Sequence, residues 1–317
     1  MTDSYGRNIT YLRLSVTDLC NLRCRYCMPE EGICRKEHSQ MLTEDEMISA
    51  VKAAAGLGIN KVRITGGEPL VKKNILSICE NAAAVPGLKD LALTTNGTLL
   101  KNLAADLRAA GVNRLNISLD TTDPEKYRYI TRTGELKDAL EGIEAAFEAG
   151  FSKIKINSVL IGGFNDNEIS DLASLTEKWS VDVRFIELMP MNNHRDFGPE
   201  CLVSAETILR SLPQLREVPP DGGVARLFEI PGAKGRVGVI SPVSHSFCSD
   251  CNKIRITSDG FVKPCLHLPA EYSIKGLDEE QMRDRLREAI ENKPLSHKGL
   301  SCGSKSLAGR SMNEIGG

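Results

Sequence analysis

The sequence predicts an α/β chain in which six strand-then-helix units wind into an incomplete (β/α)6 barrel of the TIM type, followed by a shorter C-terminal region. Three observations predict it. Short β-type runs alternate with longer helical stretches from Tyr11 to about Ile186. Polar residues two apart give each run one polar face, and a group of cysteines follows the first run directly. The 317 residues can bury such a core without disulfide staples.

The runs are residues 11–16, 61–65, 91–95, 114–119, 153–160 and 182–186. Between the first two, Thr43 and Glu46 have the spacing of a capping box, opening a helix that Gly58 can stop. A later helical stretch, 138–147, is followed by Gly150. Gly58-Ile-Asn-Lys-Val-Arg-Ile, Gly111-Val-Asn-Arg-Leu-Asn-Ile and Gly150-Phe-Ser-Lys-Ile-Lys-Ile repeat one form, a helix stop feeding a strand. Consecutive units of this kind imply parallel strands joined by right-handed crossovers.

A parallel sheet covered on both faces reads as nearly continuous apolar sequence, and these runs do not. Arg13 and Ser15, Arg63 and Thr65, Asn116 and Ser118, and Lys155 and Asn157 each share a side of their strand. They line the inside of a barrel or the wet face of an open sheet, and alternation alone does not choose. The cysteine loop favours the barrel, because βα barrels keep their chemistry at the C-terminal ends of the strands. After about Met191 the rhythm stops, and Pro219-Pro220-Asp221-Gly222-Gly223 punctuates the change. We divide the chain at residues 1–190 and 191–317, the second part holding short strands near 226–230 and 237–240 and an amphipathic helix at 278–291.

Forty Lys plus Arg against 42 Asp plus Glu give a net charge of −2, with no run of like charge to grip duplex nucleic acid or an anionic membrane. No apolar stretch approaches the ~18 residues that span a bilayer, and Met1 to Thr10 has no signal-peptide core. A cytoplasmic protein is expected. In a reducing compartment its 10 cysteines suggest metal or redox chemistry, not disulfides.

Cys20, Cys24 and Cys27 form C-x3-C-x2-C after the first strand. A four-iron cluster normally takes four cysteines, so three leave one iron open to another molecule. Zinc would want a fourth ligand, and His38 is the nearest histidine. The cluster is the better reading. Cys20-Asn-Leu-Arg-Cys24-Arg-Tyr26-Cys27, with Thr65-Gly66-Gly67-Glu68-Pro69-Leu70 after the second strand, resembles the radical S-adenosylmethionine (SAM) enzymes. The resemblance implies a [4Fe-4S] cluster whose open iron is chelated by SAM. It also implies that reductive cleavage of SAM yields a 5′-deoxyadenosyl radical, which takes a hydrogen atom from the substrate.

Cys248, Cys251 and Cys265 form a second triad. Its spacing suits a cluster or, with His245 or His267, a Cys3His zinc site about equally. A wider match, from Asn8 to Gly317, resembles the GTP 3′,8-cyclase family: Leu12-Arg13-Leu14-Ser15-Val16-Thr17-Asp18, Arg184-Phe-Ile-Glu-Leu-Met189, Phe247-Cys-Ser-Asp-Cys-Asn252 and the terminal Ile315-Gly316-Gly317. That resemblance implies a second [4Fe-4S] cluster on this triad, touching the guanine of GTP. It implies removal of the ribose 3′ hydrogen and closure onto C8, giving (8S)-3′,8-cyclo-7,8-dihydroguanosine 5′-triphosphate, the first step of molybdenum cofactor biosynthesis. GTP would be held by Arg13, Lys61, Arg63, Thr94, Lys155, Lys253 and Arg255, and SAM by Tyr26, Gly67, Ser118 and Met189. Arg255 is the candidate for a direct part in a reaction that otherwise belongs to the radical.

Partners implied are a small reductant protein and a downstream cyclic pyranopterin monophosphate synthase, with room for a homodimer. Two residues depart from the family pattern. Lys253 stands where arginine is usual and lacks the planar fork that grips an oxyanion in two places. Glu314 precedes the terminal glycines where an aromatic or basic residue is expected. Cys79 reads as a small core residue, and Cys34, Cys201 and Cys302 take no ligand position. The rivals are a radical SAM peptide-modifying enzyme with an auxiliary cluster and a zinc-stabilised module without chemistry.

Overall fold

Each of the six expected runs is a strand, to within one residue at either end, in a computed structural model that describes residues 1–34, 36–191, 196–297 and 306–316. In chain order the first part is β1 (Tyr11–Ser15), α1 (Glu44–Gly56), β2 (Lys61–Thr65), α2 (Ile75–Ala83), β3 (Asp90–Thr95) and α3 (Leu100–Ala109). It continues through β4 (Arg114–Ser118), α4 (Pro124–Thr131), α5 (Leu136–Glu148), β5 (Ile154–Leu160), α6 (Ile169–Lys178) and β6 (Val181–Glu187). Thr43 and Glu46 exchange the hydrogen bonds of a capping box at the start of α1, worth about 1 kcal/mol. Gly58, Gly111 and Gly150 all have φ between 79° and 89°, the left-handed conformation that ends a helix cheaply only at glycine. The strict alternation of strand and helix fails once: two helices, α4 and α5, separate β4 from β5, because Asp123 and Pro124 start a separate helix ahead of the expected one.

The second part comprises α7 (Ala205–Ser211), β7 (Arg216–Val218), β8 (Arg226–Glu229), β9 (Arg236–Ile240), β10 (Lys253–Ile256), β11 (Phe261–Lys263), β12 (Tyr272–Ser273), α8 (Glu279–Glu291) and α9 (Met312–Ile315). It joins the barrel. The strands form one sheet ordered β12-β11-β10-β1-β2-β3-β4-β5-β6-β9-β8-β7. β10 pairs parallel to β1 and β9 parallel to β6, so eight parallel strands stand in a row, flanked by antiparallel ribbons. β9 and β10 are not paired with each other, and residues 241–252, with Cys248 and Cys251, run between them.

The outward strand positions carry Leu12, Leu14, Val62, Ile64, Leu91, Leu93, Leu115, Ile117, Ile154 and Ile156, all buried under the helices in one continuous core. The inward positions carry the polar set, which selects the barrel over the open sheet. Among the described residues, no helix is long and apolar enough to cross a membrane.

Arg7 fastens the chain's start to the second cysteine region. Its Nε donates to Asp3 Oδ2 at 2.6 Å, and its other nitrogens donate to the carbonyls of Cys248 (2.8 Å), Pro294 (2.7 Å) and Leu295 (3.1 Å). Replacing it by leucine would strand the buried Asp3 carboxylate. For Arg7→Leu we expect a loss of about 3–5 kcal/mol in thermal unfolding and faster alkylation of Cys248. An unchanged melting temperature with unchanged alkylation would refute the clamp.

Candidate functional site

Above the inward polar layer lies a cavity of about 360 Å³, lined by Cys20, Cys24 and Cys27 and also by Cys248, Cys251 and Cys265. Both triads, 200 residues and more apart in sequence, thus face one chamber. All six cysteines are free thiols in a half-buried setting. Tyr26, Gly67, Ser118 and Met189 line the same space, as do Arg13, Arg63, Thr94, Lys253 and Arg255. Two expected residues do not. Lys61 is exposed at the start of β2 and lines no part of the chamber, and Lys155 faces a second cavity of about 950 Å³ at the opposite, N-terminal ends of the strands.

The first triad rides on a loop laid against the end of α4. Arg23 and Arg25 donate their backbone N–H groups to the carbonyls of Thr131 and Ile130, at 3.0 and 2.9 Å. Arg132 donates to the carbonyls of Arg23 (2.7 Å) and Met28 (3.3 Å), on either side of Cys24 and Cys27. Its φ of 62° is the one positive value outside glycine among the described residues, a local strain kept where a loop must be held. Across from it, Gly67 N–H donates to the Thr17 carbonyl and Glu68 N–H to the Leu19 carbonyl, both at 2.8 Å. A Cβ on Gly67 would collide with the Leu19 carbonyl oxygen and lie 2.6 Å from that of Asp18, so the turn can approach the cysteine loop only as glycine.

The sulfur environment fits an iron–sulfur group. Leu22 N–H approaches Cys20 Sγ at 3.3 Å and the Asn96 amide approaches it at 3.9 Å, donors suited to a sulfur that carries negative charge. Burial pushes the Cys20 thiol up to about 11 and Cys27 up to about 12, so a cationic group must displace their protons. Cys251 moves the other way: burial would raise it, but the ammonium groups of Lys293 and Lys253 outweigh that and lower it. Lys293 also donates to the carbonyls of Lys253 (2.9 Å) and Pro264 (2.6 Å), tying β10 to the residue before Cys265. Among the described residues, no three His, Cys, Asp or Glu side chains converge on a point that holds a single ion. His267 lines the chamber but burial lowers it to about 4, and its Nδ1 pairs with Ser306 Oγ at 3.2 Å; His245 is exposed.

The parallel register puts Arg255, Arg13 and Arg63 side by side on β10, β1 and β2. Neighbouring strands are about 4.8 Å apart, so three guanidiniums crowd one row. Burial and mutual repulsion lower Arg13 well below its ordinary value, and burial brings Arg255 down to about 10. The Nε atoms of Arg13 and Arg63 and the Thr94 hydroxyl are buried without a protein partner. Such groups cost roughly 1–3 kcal/mol each. Cations left in that condition inside a barrel are built to receive an anion.

From the other end of the chain, the Gly316 carbonyl accepts from Arg255 Nη1 at 2.8 Å. Glu314, the departure from the family pattern, caps α9 by accepting from Ser311 N–H (2.9 Å) and Oγ (2.7 Å). It thereby helps to seat the tail. Gly317 and Cys302 lie outside the described residues.

The radical SAM superfamily profile matches residues 14–176, and the Molybdenum Cofactor Synthesis C profile matches residues 181–299. Over 323 residues the chain is 47% identical to the GTP 3′,8-cyclase of Alkaliphilus oremlandii (strain OhILAs), covering 100% of both chains. The chain belongs to the GTP 3′,8-cyclase family. It is 46% identical over 321 residues to the enzyme of that name from Alkaliphilus metalliredigens (strain QYMF), again covering 100% of each. The crystal structure of Streptococcus suis SuiB bound to S-adenosylmethionine superposes with a TM-score of 0.65 at 16% identity, over 91% of this chain and 67% of that one, a likeness of fold. Membership of the radical SAM superfamily brings SAM and a [4Fe-4S] cluster to the family's chemistry.

Three groups in or beside the chamber were not singled out from sequence. Glu68 is buried, accepts from Leu70 N–H, Thr95 Oγ1 and Asn96 N–H, and is pushed up to about 7 by burial. Asp120, raised by burial to about 6, accepts from the Tyr26 hydroxyl at 2.7 Å and Val159 N–H at 2.8 Å. Arg184, on β6 beside Asn157, is buried with its Nε unpaired. Glu68 and Arg184 stood inside motifs already noted, whereas a lone aspartate after β4 carried no signal. Gly67→Ala should cost about 1–3 kcal/mol or more and lower the iron bound after anaerobic reconstitution. Parental iron content and melting temperature would show that the close approach is dispensable.

Proposed function

We propose that this chain carries out the radical SAM cyclisation of GTP to (8S)-3′,8-cyclo-7,8-dihydroguanosine 5′-triphosphate, the first step of molybdenum cofactor biosynthesis. The observation that carries the reading is a single chamber, walled by two cysteine triads and lined by a row of three arginines, of which Arg13 and Arg63 keep their buried Nε atoms without a protein partner. The cluster and SAM together supply a 5′-deoxyadenosyl radical when bound. The residues of the chain do the rest.

Cys20, Cys24 and Cys27 would hold the SAM-binding cluster, and Cys248, Cys251 and Cys265 a second [4Fe-4S] cluster facing the guanine. Tyr26, Gly67, Ser118 and Met189, all lining the chamber, are assigned to SAM. Tyr26 is oriented for this by Asp120, and Gly67 lets the turn lie close to the cysteine loop. Arg13, Arg63, Thr94, Lys253 and Arg255 are assigned to GTP; Arg255, bonded to the Gly316 carbonyl, keeps its candidacy for a direct part. Lys61 and Lys155 would serve the phosphates from the N-terminal side of the arginine row. Lys253 offers one point charge where a guanidinium would offer a fork, and its Nζ bonds Asn252 Oδ1 at 3.1 Å.

The division at 190/191 separates the part that carries the first triad from the part that carries the second. A small reductant protein as electron donor, transfer of the product to a cyclic pyranopterin monophosphate synthase, a cytoplasmic location and a homodimer complete the proposal. A peptide-modifying enzyme would have no use for a buried row of three arginines, two of them with unpaired Nε atoms, and the resemblance to SuiB extends to fold alone.

Reconstituted anaerobically with iron and sulfide, reduced, and given SAM, the protein should form 5′-deoxyadenosine and a nucleotide of unchanged mass but altered chromatography with GTP, and not with ATP. Cys20→Ala should abolish SAM cleavage, whereas Cys248→Ala should keep the first cluster and lose productive GTP binding. Equal 5′-deoxyadenosine formation with any nucleotide would exclude GTP as substrate, and full cyclisation by Cys248→Ala would remove the second triad from the mechanism. Gly316→Ala, whose Cβ would strike Thr65 Oγ1 at a φ of 82°, should expel the tail and depress cyclisation at parental iron content. Undiminished product would free the tail from any role.

A further inference from the structure

A group of charges gathers at the lower cavity, which Lys155, Asp182, Asp221 and Arg236 line. Lys155 and Arg184 are carried by β5 and β6, where Arg184 stands in register with the chamber residue Asn157. Both reach Asp221. Its Oδ2 is 3.4 Å from Lys155 Nζ, 3.2 Å from Arg184 Nη2 and 3.8 Å from Arg236 Nη2, and its Oδ1 accepts from Gly223 N–H at 2.9 Å. Asp182 faces the same group, 3.1 Å from Arg236 and 3.6 Å from Arg184.

These charges are differently mounted. Lys155, Arg184 and Asp182 stand on central strands of the sheet. Asp221 stands on the exposed Pro219-Pro220-Asp221-Gly222-Gly223 turn between β7 and β8, and Val224, next along, lines the chamber. Burial and the nearness of Arg184 bring Lys155 down to about 8, while Lys155 and Arg184, working against burial, hold the Asp221 carboxyl at about 2. The carboxylate is therefore ionised wherever the enzyme works.

We propose that Asp221 is a displaceable counter-ion that sets selectivity for phosphate-chain length: it holds Lys155 and Arg184 until the terminal phosphate of a nucleoside triphosphate takes them over. A terminal phosphate brings more charge and three acceptor oxygens, and it can engage a guanidinium through two parallel hydrogen bonds. Carboxylate and phosphate repel each other at the same cations, so the turn yields, not the sheet. A shorter nucleotide leaves the Asp221 pairs intact and gains neither cation. The inference rests on the GTP reading above, with the triphosphate running down the arginine row.

The test is equilibrium binding of GTP, GDP and GMP to the reconstituted protein under anaerobic conditions, with and without magnesium, for the parent and for Asp221→Asn. Asparagine keeps an acceptor for Gly223 N–H. The variant should bind GTP roughly tenfold more tightly, the worth of a charged hydrogen bond no longer given up, with GMP unchanged. In the parent, GTP should speed amide hydrogen exchange at residues 221–224. A parent that prefers GTP to GMP, joined to a variant that binds GTP equally or more weakly, would overturn the counter-ion alone. Lost magnesium dependence in that variant would make Asp221 a ligand for the metal–triphosphate complex, again overturning it. A parent without any preference for GTP would take the substrate reading down first.

Discussion

A row of like charges inside a barrel is the constraint around which this protein is arranged. Parallel register fixes it: once β10 lies beside β1 and β1 beside β2, Arg255, Arg13 and Arg63 must share a layer. Their repulsion and desolvation weaken the fold, and the fold tolerates this because the outward face of the same strands buries an unbroken set of Leu, Ile and Val. Stability is generated on one side of each strand and given up on the other. The period-2 alternation of the sequence is the written form of that division of labour.

Around that row, main-chain groups take a large share in holding the loops that carry the chemistry, beside side-chain pairs such as Tyr26 with Asp120 and Asn21 with Asn96. The first triad leans on the last turn of α4 and on the glycine turn after β2, while the second is held by Arg7 and Lys293 through main-chain carbonyls. Carbonyl acceptors do not titrate, whereas Glu68 and Asp120, both raised by burial, also hold backbone N–H groups of neighbouring loops.

Much of this was legible in the residues. The glycine-stop repeats marked three strand starts because a left-handed helix end has few other solutions, and both triads were visible because thiolates at short spacing have few other uses. The two strands that widen the barrel were harder. β10 is only four residues long, and nothing in Lys253–Ile256 says that its partner is β1, near the other end of the chain. Placement along the barrel axis was equally hidden: Lys155 and Arg13 follow the same inward parity, but only the stagger of the strands puts one in the lower cavity and the other in the chamber. Asp221 read as turn punctuation, since the charge it meets comes from residues 37 and 66 positions away.

The sheet order also has a consequence in time. β1 emerges early in synthesis, yet one of its two neighbours belongs to the last quarter of the chain. The barrel wall is thus a contact of high sequence separation, of the kind that forms late and slowly. Until β10 docks, the loop of Cys20, Cys24 and Cys27 has been synthesised while the wall beside it has yet to form. The second triad is carried beside that same late strand, so the chamber that both triads line comes into being only with this pairing.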